Sequence, residues 1–134
     1  MLGDLTKLLD VGYLTDVYVF KSEEGEYKFV LKTISPMQES EIYDEVNNKS
    51  FKEGSELRFM TLTTFLLAAS VQSVNGIELD KVPGCEGTTS TEKKRSLLGK
   101  LSSQLLVGLW DKYKELQSKT TTKGTEEEAE QLKK

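Results

Sequence analysis

Phe59-Met-Thr-Leu-Thr-Thr-Phe-Leu-Leu-Ala-Ala-Ser-Val-Gln-Ser-Val-Asn-Gly-Ile77 runs without a single charge. A charge-free stretch this long has little use for water, so it predicts a core helix from Ser55 to Val74. The expected buried set is Leu57, Met60, Leu62, Phe65, Leu66, Ala69 and Val71. Asn75-Gly76 reads as its stop, because both residues tolerate the left-handed backbone that ends helices. Thr61, Thr63, Thr64, Ser70, Gln72, Ser73 and Asn75 make the run too polar for a membrane span. A short chain that spends its strongest helix on a core points to binding rather than catalysis.

The chain has 134 residues, about one domain's worth, with 37% hydrophobic and 30% charged residues. Net charge is −4, unevenly spread. Residues 1–58 carry twelve acids against seven bases, whereas 92–118 carry three against six. That polarity suits docking but is too weak for nucleic acid. Histidine is absent, which removes the commonest general base and metal ligand. Cys85 is the only cysteine, so neither a disulfide nor a Cys-rich zinc site is expected. A lone thiol in Pro83-Gly84-Cys85-Glu86-Gly87, with an acid beside it, is not activated and suits a reducing cytoplasm. Met-Leu-Gly-Asp-Leu-Thr-Lys at the start lacks the features of a signal peptide.

Outward from the central run, Asp4 to Leu9 reads as a short amphipathic helix showing Leu5, Leu8 and Leu9 on one face, broken by Val11-Gly12-Tyr13. Asp16–Lys21 and Glu26–Lys32 are rich in β-branched and aromatic residues, with Ser22-Glu23-Glu24-Gly25 as the turn between them. Tyr27, Phe29 and Leu31 share one face of this hairpin. Two strands are marginal alone, so helices must cover that face or a third strand must join. Ser35-Pro36-Met37-Gln38 is a helix start, with serine as cap and proline at the first position. That helix runs to about Val46 on a thin stripe of Met37, Ile42 and Val46. Residues 80–91 are a loop. Leu98, Leu101, Leu105, Leu109, Tyr113 and Leu116 recur at steps of three and four, predicting one amphipathic helix from Glu92 to Gln117. Gly99 and Gly108 each cost it about 1 kcal/mol, so packing must hold it.

The fold class is therefore α+β: an N-terminal β-hairpin packed with four helices and a mostly helical C-terminal half. Residues 1–118 form a single small domain, and the apolar-poor segment 119–134 is a charged tail, disordered or helical only when bound. No catalytic, cofactor or metal set emerges. Acidic groups Glu23/Glu24, Glu39/Glu41, Asp44/Glu45 and Glu126–Glu128 fall in a turn, on a polar helix face and in the tail. Lys93-Lys94-Arg95 reads as surface charge, and no glycine-rich phosphate loop is present. Serine and cysteine nucleophiles lack a base.

The last helix leaves a remainder. Its inward stripe is flanked by Leu97, Leu106 and Trp110. These residues widen the stripe either for the chain's own core or as an apolar edge offered to a partner, where tryptophan is a favoured anchor. The candidate partner-binding set is Leu97, Leu101, Leu105, Leu106, Trp110 and Tyr113, facing a second copy or another protein.

The order of an opening helix (Leu5-Thr-Lys-Leu-Leu9), a hairpin ending Phe29-Val-Leu-Lys-Thr-Ile-Ser-Pro36 and an acid-rich helix carries a resemblance. It continues in a core helix closing on Ser73-Val-Asn-Gly-Ile-Glu-Leu79 and a last helix with Trp110-Asp-Lys-Tyr-Lys-Glu115. Over residues 1–118 the chain resembles the small tail assembly chaperones and baseplate hub assembly proteins of tailed bacteriophages. The loop 80–91 is longer and richer in Gly and Thr than that pattern, and the charged tail departs from it as well. The resemblance implies a non-catalytic protein of the host cytoplasm, without cofactors, that binds tail or baseplate subunits during assembly. Two other classes remain open: a structural subunit that stays in the virion baseplate, and a small adaptor or inhibitor of a host protein.

Overall fold

The computed structural model describes residues 1–49 and 56–120. Strands β1 (Thr15–Ser22) and β2 (Gly25–Lys32) form the expected hairpin, paired in register from Thr15–Lys32 to Ser22–Gly25. Helix α1 (Pro36–Asn47) starts as its sequence dictates, the Ser35 side chain accepting the Gln38 N–H at 3.1 Å with Pro36 in the first turn. Ile42 and Val46 are buried, but Met37 is exposed and is no part of the stripe. Helices α2 (Glu56–Ser70), α3 (Ser90–Gly99) and α4 (Ser103–Thr120) complete the α+β fold, with 3-10 turns at Leu5–Asp10 and Leu79–Lys81.

The charge-free run divides where a continuous helix was expected. Helix α2 ends at Ser70, and Val71–Val74 is a strand, β3, joined to β4 (Ile77–Glu78). The sheet is antiparallel throughout, in the order β1-β2-β3-β4. The third strand that the hairpin needs comes from the last four residues of the predicted helix. Ser70 marks the switch, its hydroxyl donating to the Lys32 carbonyl at 2.7 Å. Asn75-Gly76 is the hairpin turn rather than a helix stop. Both residues have positive φ, 50° and 82°, the geometry that Asn-Gly favours in two-residue hairpins. Asn75 also fastens this turn to β2, accepting the Lys28 N–H at 2.8 Å and donating to the Glu26 carbonyl at 3.2 Å.

Phe29 and Leu31 of β2 join Leu66, Leu67, Leu98 and Leu109 in one core cluster, while Tyr27, at the hairpin's outer end, stays partly exposed. Leu57 and Met60, expected in the core, are exposed at the start of α2. The opening segment is a 3-10 turn with none of its residues buried. The predicted last helix is two, because the chain leaves helical geometry between Gly99 and Ser103 and Ser102 caps α4 through the Leu105 N–H at 3.3 Å. Lys119 and Thr120, expected in the tail, close α4, and the tail from residue 121 lies outside the described residues.

Three polar ties fix the helices to the sheet and to one another. Lys112 of α4 meets Asp16 of β1 at 2.7 Å. Arg95 of α3 pairs its two terminal guanidinium nitrogens with Glu45 of α1 at 2.8 Å and lies 3.6 Å over the Phe65 ring of α2. Gln117 accepts the Ile34 N–H and donates to Glu39, each at 2.9 Å. Gly108 of α4 makes room for Tyr18 of the sheet: a Cβ there would collide with the Tyr18 hydroxyl and ring.

Phe29→Ala should cost about 3–5 kcal/mol, as expected for emptying a buried aromatic site, measured by urea melts. A loss below about 1 kcal/mol would show that the sheet face is open. Gly108→Ala should lower the melting temperature although alanine is the better helix former by about 1 kcal/mol; an increase would mean that Tyr18 yields at no cost.

Candidate protein-binding site

Along α2, Phe59, Met60, Thr63 and Thr64 lie one turn apart in two pairs. Along α4, Ser103, Leu106, Val107 and Trp110 follow the same spacing. The two rows face each other across a groove of roughly 190 Å³. Phe59, Met60 and Val107 are 57%, 54% and 59% exposed, so its outer walls are apolar side chains open to solvent. The floor is more fixed. Trp110 stacks on buried Tyr113 with ring centres 5.1 Å apart and planes 16° apart, and receives Phe59 edge-on at 6.1 Å. The Lys114 ammonium lies 6.0 Å from the Trp110 ring centre. Trp110 is thus partly buried and held by neighbours while still lining the groove, the arrangement expected of a pre-positioned anchor.

The structure divides the sequence-predicted site residues. Leu106 and Trp110 line the groove. Leu97, Leu105 and Tyr113 are core residues with less than a tenth of their surface exposed, and Leu101 is partly buried in the α3–α4 link. The physical reason is the break at Gly99–Ser102: a single helix would carry 97, 101, 105 and 106 along neighbouring stripes, but two helices turn their leucines inward separately. Phe59, Met60, Thr63 and Val107 were not in the sequence-derived set. Their convergence on the groove depends on how α2 and α4 cross, which no local pattern encodes.

The groove contains no acid–base pair. Among the described residues, each carboxyl with a shifted acidity is shifted down: Asp4, Asp16, Glu45, Asp80 and Glu92, each chiefly by a hydrogen bond donated to it. None is raised toward neutrality as a general acid requires. Burial pushes the Tyr113 phenol up, keeping it protonated. Cys85 donates its thiol to the Asp80 carbonyl at 3.1 Å, away from the groove. Among the described residues no three His, Cys, Asp or Glu side chains cluster to hold a metal ion, and no helix is long and apolar enough to cross a membrane. A second, wider cleft of about 870 Å³ lies between the first 3-10 turn and α1, but Thr33, Ser35, Glu39, Ser40 and Gln117 break up its apolar wall.

No known protein-family model, curated protein or solved structure matches the chain.

The Thr63 hydroxyl is buried on the groove wall and has no hydrogen-bond partner among the described residues. Thr63→Val keeps the shape and removes the unsatisfied group, so it should be neutral or stabilising by up to about 1 kcal/mol in denaturant melts. A clear loss of stability would show that the hydroxyl is satisfied in solution.

Proposed function

We propose that this protein is a non-catalytic assembly protein of a tailed bacteriophage, and that its α2–α4 groove holds an apolar segment of a tail or baseplate hub subunit in the host cytoplasm. The observation that carries the binding role is the groove itself. Phe59, Met60 and Val107 stand open beside a tryptophan already fixed by stacking. Leaving such side chains in water costs about 25 cal/mol per Å² relative to burial, and clustered exposure of this kind marks interaction sites. Support for the phage partner comes from the resemblance carried by Phe29–Pro36, Ser73–Leu79 and Trp110–Glu115. The groove suits the apolar face of a helix, whose anchors at i, i+3 and i+4 would pack over the Phe59–Trp110 pair and against Met60 and Val107.

Affinity capture from phage-infected cells should recover a tail or baseplate protein. Recovery of a host regulatory protein instead would overturn the assembly reading. With the captured subunit, Trp110→Ala should weaken the complex by about 2 kcal/mol or more, a loss of roughly 30-fold in Kd. Met60→Ala, at an exposed position, should weaken it while leaving the melting temperature unchanged. If both variants bind as tightly as the parent, the interface lies elsewhere on the molecule.

A further inference from the structure

The sheet has two edges, and they are guarded differently. β4 is two residues long, too short to template another strand. β1 is eight residues long, pairs only with β2 among the described residues, and contains neither proline nor bulge. Its backbone orientation can be read from its start. Leu14 accepts the Thr33 N–H at 2.9 Å and donates its own N–H to the Thr33 hydroxyl at 3.0 Å. Backbone groups alternate sides along a strand, so Asp16, Tyr18, Phe20 and Ser22 also turn toward β2. Thr15, Val17, Val19 and Lys21 therefore aim their N–H and C=O groups out of the sheet edge. All four residues are exposed, Val17 and Val19 by 43% and 39%.

One of these outward groups is already taken. The Asp16 carboxylate bends over the edge, and its Oδ1 accepts the Val17 N–H at 2.7 Å. Its Oδ2 lies 2.7 Å from the Lys112 ammonium of α4. The Lys112 side chain is only 19% exposed, so its stem is packed and its ammonium arrives from a fixed direction. The Lys112 hydrogen bond, and after it the Val17 N–H, hold the Asp16 carboxyl below the usual carboxylate range, so it is charged at neutral pH. A strand adding to this edge would have to bring a carbonyl oxygen to the Val17 N–H, where that negative charge now sits.

We infer that the edge of β1 is a strand-addition surface for β1 of a second copy, and that the Asp16–Lys112 pair holds it shut. The two strands match when they run antiparallel about Tyr18. Thr15 then faces Lys21, Val17 faces Val19, and the four outward residues of each strand exchange about eight hydrogen bonds. This register sets valine against valine on the outer face and brings no like charges opposite one another. The same edge offered by two identical chains closes as a twofold pair. Both central pairs use Val17, so the Asp16 carboxylates of the two copies block the middle of the interface until Lys112 lets them go.

Sedimentation velocity and hydrogen-exchange NMR on the full chain test this. In the parent the outward amides of Val19 and Lys21 should exchange freely, with no dimer formed through β1. Asp16→Ala should double the mass as concentration rises and slow those two amides by about tenfold or more. Lys112→Gln, which frees the carboxylate but leaves it in place, should dimerise more weakly, and it carries the test if Asp16→Ala does not fold. Adding Val19→Pro should return either variant to a monomer, because proline there removes an outward N–H and leaves the β1–β2 ladder intact. A folded Asp16→Ala or Lys112→Gln chain whose β1 edge stays unpaired would overturn the inference. So would association that survives Val19→Pro, or a parent already dimeric through this edge.

Discussion

Everything in this fold hangs on the pairing of β2 with β3. A two-stranded hairpin cannot hold one face out of water by itself, and residues 15–32 supply only two strands. The partner is four residues cut from an apolar run. Phe29 faces Val74, Val30 faces Ser73, and Leu31 faces Val71. The strand's two ends are secured differently: Ser70 bonds the Lys32 carbonyl, and Asn75 bonds both backbone groups that β2 presents near its start. Because Val71, Leu66 and Leu67 are all fully buried, helix and strand enter the same core with a turn of backbone direction between them. The sheet thereby gains width, and α4 gains a surface to cross.

Helix α4 uses that surface at two levels. Its leucines at 105, 109 and 116 and Tyr113 are buried, whereas Gly108 lets the Tyr18 ring slide against the backbone. The glycine that looks like a defect in helix propensity is where the Tyr18 ring takes the place of a side chain. At the same time, Leu106, Val107 and Trp110 fall on the side toward α2 and remain available. One helix therefore serves the core with one stripe and the groove with the next, and its angle to the sheet is fixed by Lys112–Asp16 and Gln117–Ile34.

Where local chemistry was decisive, the sequence could be read. The hairpin followed from period-two alternation with Ser22–Gly25 as the turn, and α1 from the Ser35-Pro36 cap; the α+β class followed from both. Strand β3 was concealed by its own irregularity. The register shifts between Val30 and Leu31, leaving Gln72 as an extra residue, so Val71 and Val74 are both buried three positions apart, a spacing that mimics a helix. Asn75-Gly76 suits a helix end and a hairpin equally well, and only the pairing with β2 decides between them. The α3–α4 break was hidden because Leu98, Leu101 and Leu105 keep helical spacing across it; Gly99 followed by Ser102-Ser103 was the available signal. Of the groove, Leu106 and Trp110 were visible as excess apolar width. Its α2 wall was not, since the convergence of Phe59 and Met60 on the groove is a property of helix crossing.

Trp110 is the only tryptophan in the chain, and it lies in the groove. Its indole therefore supplies an optical readout confined to one place. Emission from a partly buried ring moves to shorter wavelength when an apolar group covers it, and quenching by small solutes falls in step. The fixed stack with Tyr113 makes the pair a source of near-ultraviolet dichroism that depends on core order rather than on helix content. Occupancy of the groove and integrity of the core beneath it can thus be followed separately, in the same unlabelled sample.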